Sequence, residues 1–351
     1  MRPERPVAHR AAPAQRRPMR HHEEETSMDK RGFLRAGAIG LGALAGGPAL
    51  AADAWPSKTV RFVVPFAAGG SSDVVARSVA AELSKTLGHS VYVENKPGGA
   101  GNVAMQDVAK ASDDHTIILG HIGTLSVNPF IFDKLPYDPV RDFVPVSLLA
   151  KVPSLYLVPA GSPVRNLREF IDFARKNPGK LNYGSAGNGS AGHLAMEYLK
   201  AQANLFITHV PYRGTGPQLI DLVAGRLDAA SVGAAAVIQY IRGGKLRAIA
   251  TGTTTRLPQL PDVGTVAEQG LPGFEMTQWY GIIAPATMSA GARQRLAVES
   301  AKAVHSAEVK ERLAADAALA VGSTPEEFAA FIAAEQKRWK PVIARAKIKP
   351  D

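Results

Sequence analysis

Segment 181–198 (LNYGSAGNGSAGHLAMEY) carries glycines and short polar side chains at a spacing suited to binding an anion. Glycine lets the backbone approach a ligand closely, while serine and asparagine supply hydrogen-bond donors. Ser190 precedes an apolar stripe of helical period and is the predicted N-cap of a helix. The free N–H groups and the dipole of such a helix favour a carboxylate or a phosphate. The predicted site residues in this segment are Ser185, Ala186, Gly187, Asn188, Gly189, Ser190 and His193.

A dinucleotide-binding motif is nearly present in the same segment. Gly187, Gly189 and Gly192 spell G-x-G-x-x-G, but a ribose site also needs an acidic residue about 20 positions later. The corresponding region, 207–213, contains neither aspartate nor glutamate. No paired-histidine, H-E-x-x-H or EF-hand spacing occurs elsewhere. The sequence therefore predicts no cofactor and no metal.

A serine-hydrolase motif, G-x-S-x-G, is also incomplete. Tyr183 stands where the first glycine belongs before Ser185, and Asn188 stands there before Ser190. No nucleophile, base and orienting group form a recognisable set. We therefore predict that the protein is not an enzyme, with an exported hydrolase using either serine as the alternative. A surface loop without a ligand is a further alternative, because glycine and serine are common loop residues.

A second unit of strand, glycine turn and helix lies near the start of the folded chain. The apolar run 60–66 is followed by a glycine- and serine-rich turn and then by apolar residues of helical period. Ser72 or Asp73 is the predicted cap of this helix, which offers a second N-terminus to an anion. The predicted site residues of this turn are Ala67, Ala68, Gly69, Ser71 and Ser72.

Further candidate residues follow other predicted strands. Asn128 comes shortly after the third strand, on the edge where ligands of open α/β sheets bind. Tyr212 could pack against a ligand, and Arg213 could pair with a distal carboxylate. Asp228 and Trp279 complete the predicted ligand-binding set.

The first 51 residues differ in composition from the rest of the 351-residue chain. Residues 1–27 are rich in arginine, proline, histidine and glutamate, and we expect a disordered or misannotated extension, with Met28 as the true initiator. Residues 28–51 combine a basic start, a short apolar run and an Ala-x-Ala site, which predicts a signal peptide cleaved after Ala51. A lysine replaces the first arginine of a twin-arginine signal, so the sequence does not decide between the twin-arginine and the general secretory route. We expect a periplasmic protein.

Charge and cysteine content exclude several classes of function. The chain carries 41 basic and 31 acidic residues, and the part after residue 51 keeps 32 and 26 of them, a net charge of +6. This mild charge would steer anions, but no arginine-rich run indicates nucleic acid. The absence of cysteine excludes disulfides, thiolate metal sites and a cysteine nucleophile.

The order of predicted elements indicates an α/β protein. Two series of alternating strands and helices predict parallel sheets with right-handed crossovers and a ligand crevice at the carboxyl edge of the strands. A chain that returns near residue 280 to its first part would form a two-lobed clamp. We predict that lobe 1 comprises residues 52–152 and 280–351, and that lobe 2 comprises residues 153–279.

Seven stretches, taken in order, resemble the substrate-binding proteins of tripartite tricarboxylate transporters, the Bug family of the periplasm. They are 64–77 (VPFAAGGSSDVVAR), 93–102 (VENKPGGAGN), 128–149 (NPFIFDKLPYDPVRDFVPVSLL), 179–193 (GKLNYGSAGNGSAGH), 209–215 (HVPYRGT), 244–246 (GKL) and 260–273 (LPDVGTVAEQGLPG). The resemblance implies a periplasmic-binding-protein fold, a type II-like Venus flytrap with two crossover segments. It also implies that the loops after Phe66 and Tyr183 hold one carboxylate of a small metabolite.

The resemblance further implies that the protein hands its ligand to a membrane permease. We also expect a monomer without nucleic-acid partners. A sensory subunit of a membrane receptor is the alternative within the same fold. The sequence departs from the family after Asp228, where AASVGAAAVIQYI is small and apolar. This departure predicts a roomy, apolar distal pocket and a ligand with an aromatic or otherwise bulky remainder.

Overall fold

The computed structural model describes residues 55–349, so the predicted extension 1–27 and signal peptide 28–51 lie outside the described residues. The strands are β1 (Val60–Val64), β2 (Val91–Asn95), β3 (Thr116–His121), β4 (Phe143–Pro159), β5 (Asn182–Ser185), β6 (Thr208–Pro211), β7 (Ala229–Gly233), β8 (Leu246–Thr251), β9 (Thr277–Pro285) and β10 (Leu319–Ala320). The helices are α1 (Ser71–Leu87), α2 (Asn102–Ala109), α3 (Asn128–Ile131), α4 (Leu167–Lys176), α5 (Ala191–Ala203), α6 (Thr215–Val223), α7 (Ala234–Arg242), α8 (Ala290–His305), α9 (Ala307–Ala315) and α10 (Pro325–Ala346).

The strands form one mixed sheet with the order β2-β1-β3-β9-β4-β7-β5-β6. In its first half, β1 pairs in parallel with β2 and β3, and β9 runs antiparallel between β3 and β4. In its second half, β5 pairs in parallel with β6 and β7, while β4 runs antiparallel to β7 and β8. The predicted parallel pairing is thus confirmed within each half, and the strands that connect the halves are antiparallel.

Strand β4 joins the two halves of the sheet. Its early residues pair with β9, and its residues from Ser154 onward pair with β7 and β8. The strand includes Pro145, which lies at a register shift in the β4–β9 ladder, where a proline is tolerated. The predicted lobe bounds remain a prediction.

Helix α10, near the end of the chain, packs against the first half of the sheet. Thr324 and Glu327 form a capping box at its start. Glu335 on this helix accepts hydrogen bonds from the indole N–H groups of Trp279 at 2.8 Å and Trp339 at 3.1 Å. Both indoles are 1 % exposed and belong to the core. Within residues 55–349, no helix is both long enough and apolar enough to span a bilayer.

Candidate functional site

The N-termini of four helices meet around a small cavity, here called the inner cavity, of about 30 Å³. The helices are α1 and α5, which follow the two predicted glycine turns, together with α6 and α7. The cavity is lined by Phe66, Ser71, Ser72, His121, Ala186, Ser190, Ala191, Gly192, Thr215, Gln218, Ser231, Val232, Gly233, Gln278 and Tyr280. None of these residues is lysine, arginine, aspartate or glutamate. The positive field therefore comes from the helix ends rather than from cationic side chains.

Helix α1 begins without a side-chain cap. Its N-cap is Gly70, in extended conformation, so the prediction of Ser72 or Asp73 as the cap was wrong. Asp73 instead accepts the Gly69 N–H at 3.2 Å and pairs with Arg77 at 3.0 Å. Although burial acts in the opposite direction, hydrogen bonds from Arg77 and its other partners lower the pKa of Asp73. Among the residues described, the N–H groups of Ser71 and Ser72 have no hydrogen-bond acceptor.

Helix α5 begins as the sequence predicts. Ser190 is its N-cap and accepts the His193 N–H at 3.2 Å, which confirms the capping prediction. The Gly189 N–H donates to His193 Nδ1 at 3.2 Å, and this bond holds the glycine turn. A Cβ on Gly192 would lie 2.4 Å from the Ser231 carbonyl oxygen, so only glycine permits this approach of α5 to β7.

Three polar side-chain atoms of the inner cavity are buried and have no hydrogen-bond partner within the described part of the chain. They are Ser71 Oγ, His121 Nε2 and Ser231 Oγ, in residues that are 3 %, 1 % and 1 % exposed. Buried polar groups are nearly always hydrogen-bonded, so three such atoms around one cavity indicate a polar ligand or ordered water. The first two belong to the first half of the sheet and the third to the second half.

The other polar side chains of the cavity are neutral. The Tyr280 hydroxyl donates to Gln278 Oε1 at 2.6 Å, and Gln218 Nε2 donates to the Gly184 carbonyl at 3.0 Å. Burial raises the pKa of Tyr280, so its hydroxyl stays protonated. Among residues 55–349, no group of three or more histidines and carboxylates could hold a metal ion.

A second cavity of about 230 Å³, here called the outer cavity, adjoins the inner one and shares Phe66 and Ala186 with it. Its wall contains Phe66, Gly98, Gly99, Ala100, Gly101, Phe132, Ala186, Gly187, Asn188, Pro211, Tyr212 and Arg213. Aromatic rings and glycines make most of this wall apolar. The side chain of Arg213 is exposed, and among the described residues it forms no ion pair. The outer cavity thus offers an apolar space with one cation at its rim.

The two halves approach each other backbone to backbone on one side of these cavities. The Ala67 N–H, after β1, donates to the Arg213 carbonyl, after β6, at 3.3 Å. A Cβ on Gly214 would lie 2.7 Å from Ala67 Cβ, and a Cβ on Gly216 would lie 2.7 Å from the Ala68 oxygen. Side chains larger than hydrogen at these positions would hold the halves apart.

A second contact of this kind involves the glycine turn before α5. A Cβ on Gly123 would lie 2.3 Å from the Gly189 oxygen. Gly189 has a φ of +71°, and a Cβ there would lie 2.3 Å from Asn128 Oδ1. Asn128 is itself held by hydrogen bonds from its Nδ2 to the Ala100 carbonyl at 3.1 Å and to Asn102 Oδ1 at 2.7 Å. Asn128 therefore supports the glycine turn and does not line either cavity.

Most of the predicted site residues come together around the two cavities. Those of the inner cavity are Ser71, Ser72, Ala186 and Ser190, and those of the outer cavity are Ala186, Gly187, Asn188 and Tyr212. Those at the contacts between the halves are Ala67, Ala68, Asn128 and Gly189. Those that orient the turns without lining a cavity are Gly69, Ser185 and His193.

Two predicted site residues lie elsewhere, and these predictions are corrected. Trp279 packs in the core against Phe328, because its indole N–H is satisfied by Glu335 away from the cavity. Asp228 accepts the Asn182 N–H at 2.8 Å and lines a different surface pocket, because it lies before β7 rather than after it.

The small residues after Asp228 do not open the pocket that the sequence predicts there. Ala230 and Ala234 have no exposed surface and pack within the core. Strand β7 is flanked by β4 and β5, so its alanine side chains fill space between packed elements. The residues of this stretch that reach the inner cavity are Ser231, Val232 and Gly233.

Sequence reasoning missed several residues of the inner cavity: His121, Thr215, Gln218, Ser231, Gln278 and Tyr280. His121 had a usable signal, because it ends β3 on the edge of the sheet where the glycine turns lie. Gln278 and Tyr280 reach the site on β9, whose place between β3 and β4 depends on pairing over more than a hundred residues. No local motif marks such residues.

The structure gives Ser185 a histidine neighbour that the sequence did not indicate. Ser185 Oγ lies 2.6 Å from His209 Nε2, and His209 stacks between Tyr183 and His193. Ser185 has no exposed surface, and its Oγ also accepts the Gly187 N–H at 3.0 Å. The pair therefore supports the glycine turn from beneath, and it lines neither the inner nor the outer cavity.

Comparison with known proteins identifies related sequences over most of the described chain. Residues 75–348 match the model of a family described as the tripartite tricarboxylate transporter family receptor. A protein encoded in the tcbD-tcbE intergenic region of Pseudomonas sp. strain P51 is 41 % identical over 298 residues, which cover 84 % of this chain and 88 % of that protein.

Two solved structures share both sequence and fold with this chain. One is R. palustris Rpa4515 with adipate, at 35 % identity and a TM-score of 0.82, covering 85 % of this chain and all of that one. The other is MatC from Rhodopseudomonas palustris with bound malate, at 36 % identity and a TM-score of 0.79, covering 82 % of this chain and all of that one.

Proposed function

The chain belongs to the tripartite tricarboxylate transporter receptor family, and from this premise we propose that it captures a small carboxylate between two lobes and delivers it to a membrane permease. One observation carries the proposal. Four helix N-termini and three unpartnered polar atoms surround one cavity, and no charged side chain lines it. Such a site has hydrogen-bond donors and a positive field for an anion, and has no carboxylate to repel it.

A carboxylate suits the inner cavity better than a cation or a neutral apolar group. The N–H groups of Ser71 and Ser72 and the Ser71 hydroxyl are donors on one side. The Ser231 hydroxyl is a donor on the other side. Hydrogen bonds to a charged acceptor contribute about 1.5–3 kcal/mol each, more than bonds between neutral groups. An anion that bridges both sides therefore interacts more strongly with a closed cleft than with an open one.

The outer cavity is suited to the rest of the ligand. Its volume of about 230 Å³ and its aromatic wall favour a compact apolar body next to the bound carboxylate. Arg213 at the rim could pair with a second carboxylate. The adipate and malate of the two related structures are both dicarboxylates, which supports the same class of ligand here.

Closure of the cleft is the proposed mechanism. The backbone contacts at Gly123, Gly214 and Gly216 define how far the lobes can approach. A ligand shifts the equilibrium toward closure only as far as it binds the closed state more tightly. In this proposal lobe 1 comprises residues 52–152 and 280–351, and lobe 2 comprises residues 153–279.

Family membership indicates a periplasmic location. We propose that residues 28–51 are the signal peptide, that cleavage follows Ala51 and that the protein acts as a monomer. No catalytic step is assigned, although the close Ser185–His209 pair makes a hydrolase the second candidate. Ester turnover that disappears in Ser185→Ala would support the hydrolase, and its absence with binding intact would support the receptor.

Thermal unfolding with a panel of compounds tests the proposal. The protein, produced from the full-length chain, is unfolded with adipate, malate, citrate, terephthalate, adipamide or glucose. A ligand present at 100 times its Kd should stabilise the protein by about 2.7 kcal/mol. We expect at least one carboxylate to raise the unfolding temperature and the neutral compounds to leave it unchanged. Stabilisation by glucose alone would contradict a carboxylate receptor. A protein that none of the acids stabilises would contradict it as well.

A further inference from the structure

His121 is the last residue of β3 and is almost completely buried beside the inner cavity, with 1 % of its surface exposed. Its ring packs edge-on against Phe66, with ring centroids 4.7 Å apart. A Cβ on Gly123 would lie 2.4 Å from His121 Cε1, so the following backbone also holds the ring. The imidazole therefore has a fixed position in the wall of the cavity.

The hydrogen bonds of His121 determine which of its nitrogens carries the proton. The Gly123 N–H donates to Nδ1 at 2.9 Å, so Nδ1 must be the unprotonated acceptor. The proton of the neutral ring is then on Nε2, which has no partner among residues 55–349. Burial lowers the pKa of His121 to about 3, so the ring is neutral at physiological pH. The cavity wall contains no aspartate or glutamate that would favour the charged form.

We propose that the Nε2–H of His121 donates a hydrogen bond to a ligand carboxylate and makes the inner cavity select carboxylates over the corresponding primary amides. His121 is thus a specificity-determining residue for the function proposed above, on which this inference rests. The Ser71 and Ser231 hydroxyls, which are also unpartnered, act with it from both sides of the cavity.

The selectivity follows from what each group can donate or accept. A carboxylate has two oxygens that accept hydrogen bonds, and a neutral Nε2–H is a donor that cannot accept one. An amide NH₂ placed at the same point would face another N–H, and both donors would be left without an acceptor. A site built to bond one polar group strongly rejects an analogue that leaves its buried groups unpaired. Because the ring stays neutral, the discrimination should not depend on pH near neutrality.

Calorimetry on three forms of the protein tests this inference. Wild type, His121→Leu and His121→Gln are titrated with adipate or malate, whichever wild type binds more tightly, and with adipamide. Loss of a hydrogen bond to a charged group should make His121→Leu bind the acid about 10- to 100-fold more weakly. Glutamine keeps an N–H donor and adds a carbonyl acceptor, so His121→Gln should keep most of the affinity for the acid while discriminating less against adipamide.

Nitrogen-detected NMR of histidine-labelled wild type gives a readout that a purely structural role would not change. We expect the Nε2–H tautomer in the free protein and a downfield shift of its proton when the acid binds. A second outcome is that wild type binds the acid, the resonance does not move, and both variants bind within twofold of wild type. The role proposed for His121 is then wrong, and the proposed function stands. If wild type binds neither adipate nor malate, both the inference and the proposed class of ligand are overturned.

Discussion

The substitution Gly216→Ala should weaken ligand binding without weakening the fold. Gly216 is the second residue of α6, after the N-cap Gly214. The nearest atom to an added Cβ is the Ala68 carbonyl oxygen, across the cleft at 2.7 Å, and the next is the Ala68 carbonyl carbon at 3.9 Å. The new methyl group therefore meets only the opposite lobe. In an open protein it would face solvent.

The two effects of this methyl group have opposite signs. Alanine in place of glycine within a helix stabilises the folded state by roughly 0.5–1 kcal/mol. A contact at 2.7 Å is closer than real Cβ atoms tolerate, and the two Ala68 atoms that the methyl group would meet both belong to the backbone. Overpacking of this kind costs about 1–3 kcal/mol, and it is felt only when the lobes close. We therefore expect affinity to fall by about 5- to 150-fold.

Gly291→Ala is the matched control for this experiment. Gly291 is the second residue of α8, after the N-cap Ser289, and an added Cβ there has no neighbour within 4 Å. Calorimetry with adipate and thermal unfolding without ligand are measured for both variants. We expect the control to bind like wild type and both variants to unfold at or above the wild-type temperature. Unchanged affinity of Gly216→Ala would refute closure through this contact. A lower unfolding temperature of that variant without ligand would show that the free protein already holds the contact.

Three further predictions concern the glycine turn before α5 and the cavity histidine. Gly187→Asp should abolish adipate binding in calorimetry. Position 187 has a φ of +117° and its Cβ would lie 2.9 Å from the Tyr212 oxygen, and a carboxylate there would repel the ligand. Measurable affinity of this variant for adipate would contradict the prediction. Ser190→Ala removes the N-cap of α5 and should lower the free energy of unfolding by about 0.5–2 kcal/mol in urea titrations, with a modest loss of affinity; wild-type values for both would show that the cap is dispensable. Burial lowers the pKa of His121 from 6.5 to about 3, so the unfolded chain binds a proton here that the folded chain does not, and stability is lost as pH falls from 6.5 toward 3. This site should contribute up to about 5 kcal/mol to that loss, and His121→Gln should show a shallower fall in urea titrations across the same range; parallel curves would contradict the buried neutral ring.

Local patterns predicted the parts of the site that are contiguous in sequence. The turn after β1 and the turn before α5 were both predicted to offer helix N-termini, and both line the inner cavity. Ser190 as an N-cap was predictable because capping depends on a side chain and a backbone group three residues apart. The cap of α1 was mispredicted, since Asp73 hydrogen-bonds the Gly69 N–H and Arg77 instead.

The rest of the site depends on contacts that are distant in sequence. Ser231 and Tyr280 reach the cavity on β7 and β9, and their positions depend on how these strands pair across the sheet. An aromatic residue such as Trp279 can face either the core or a cleft, and Glu335, 56 residues away, supplies the partner that places it in the core. The small residues after Asp228 suggested empty space, but small side chains also pack closely between neighbouring strands.

A crystal structure of the full-length protein, grown with saturating adipate, tests the central claim most directly. We predict that one carboxylate of adipate lies in the inner cavity, within hydrogen-bond distance of the Ser71 and Ser231 hydroxyls and of His121 Nε2, with its methylene chain in the outer cavity toward Arg213. A structure with both carboxylates outside the inner cavity, or with adipate bound elsewhere on the protein, would contradict the account.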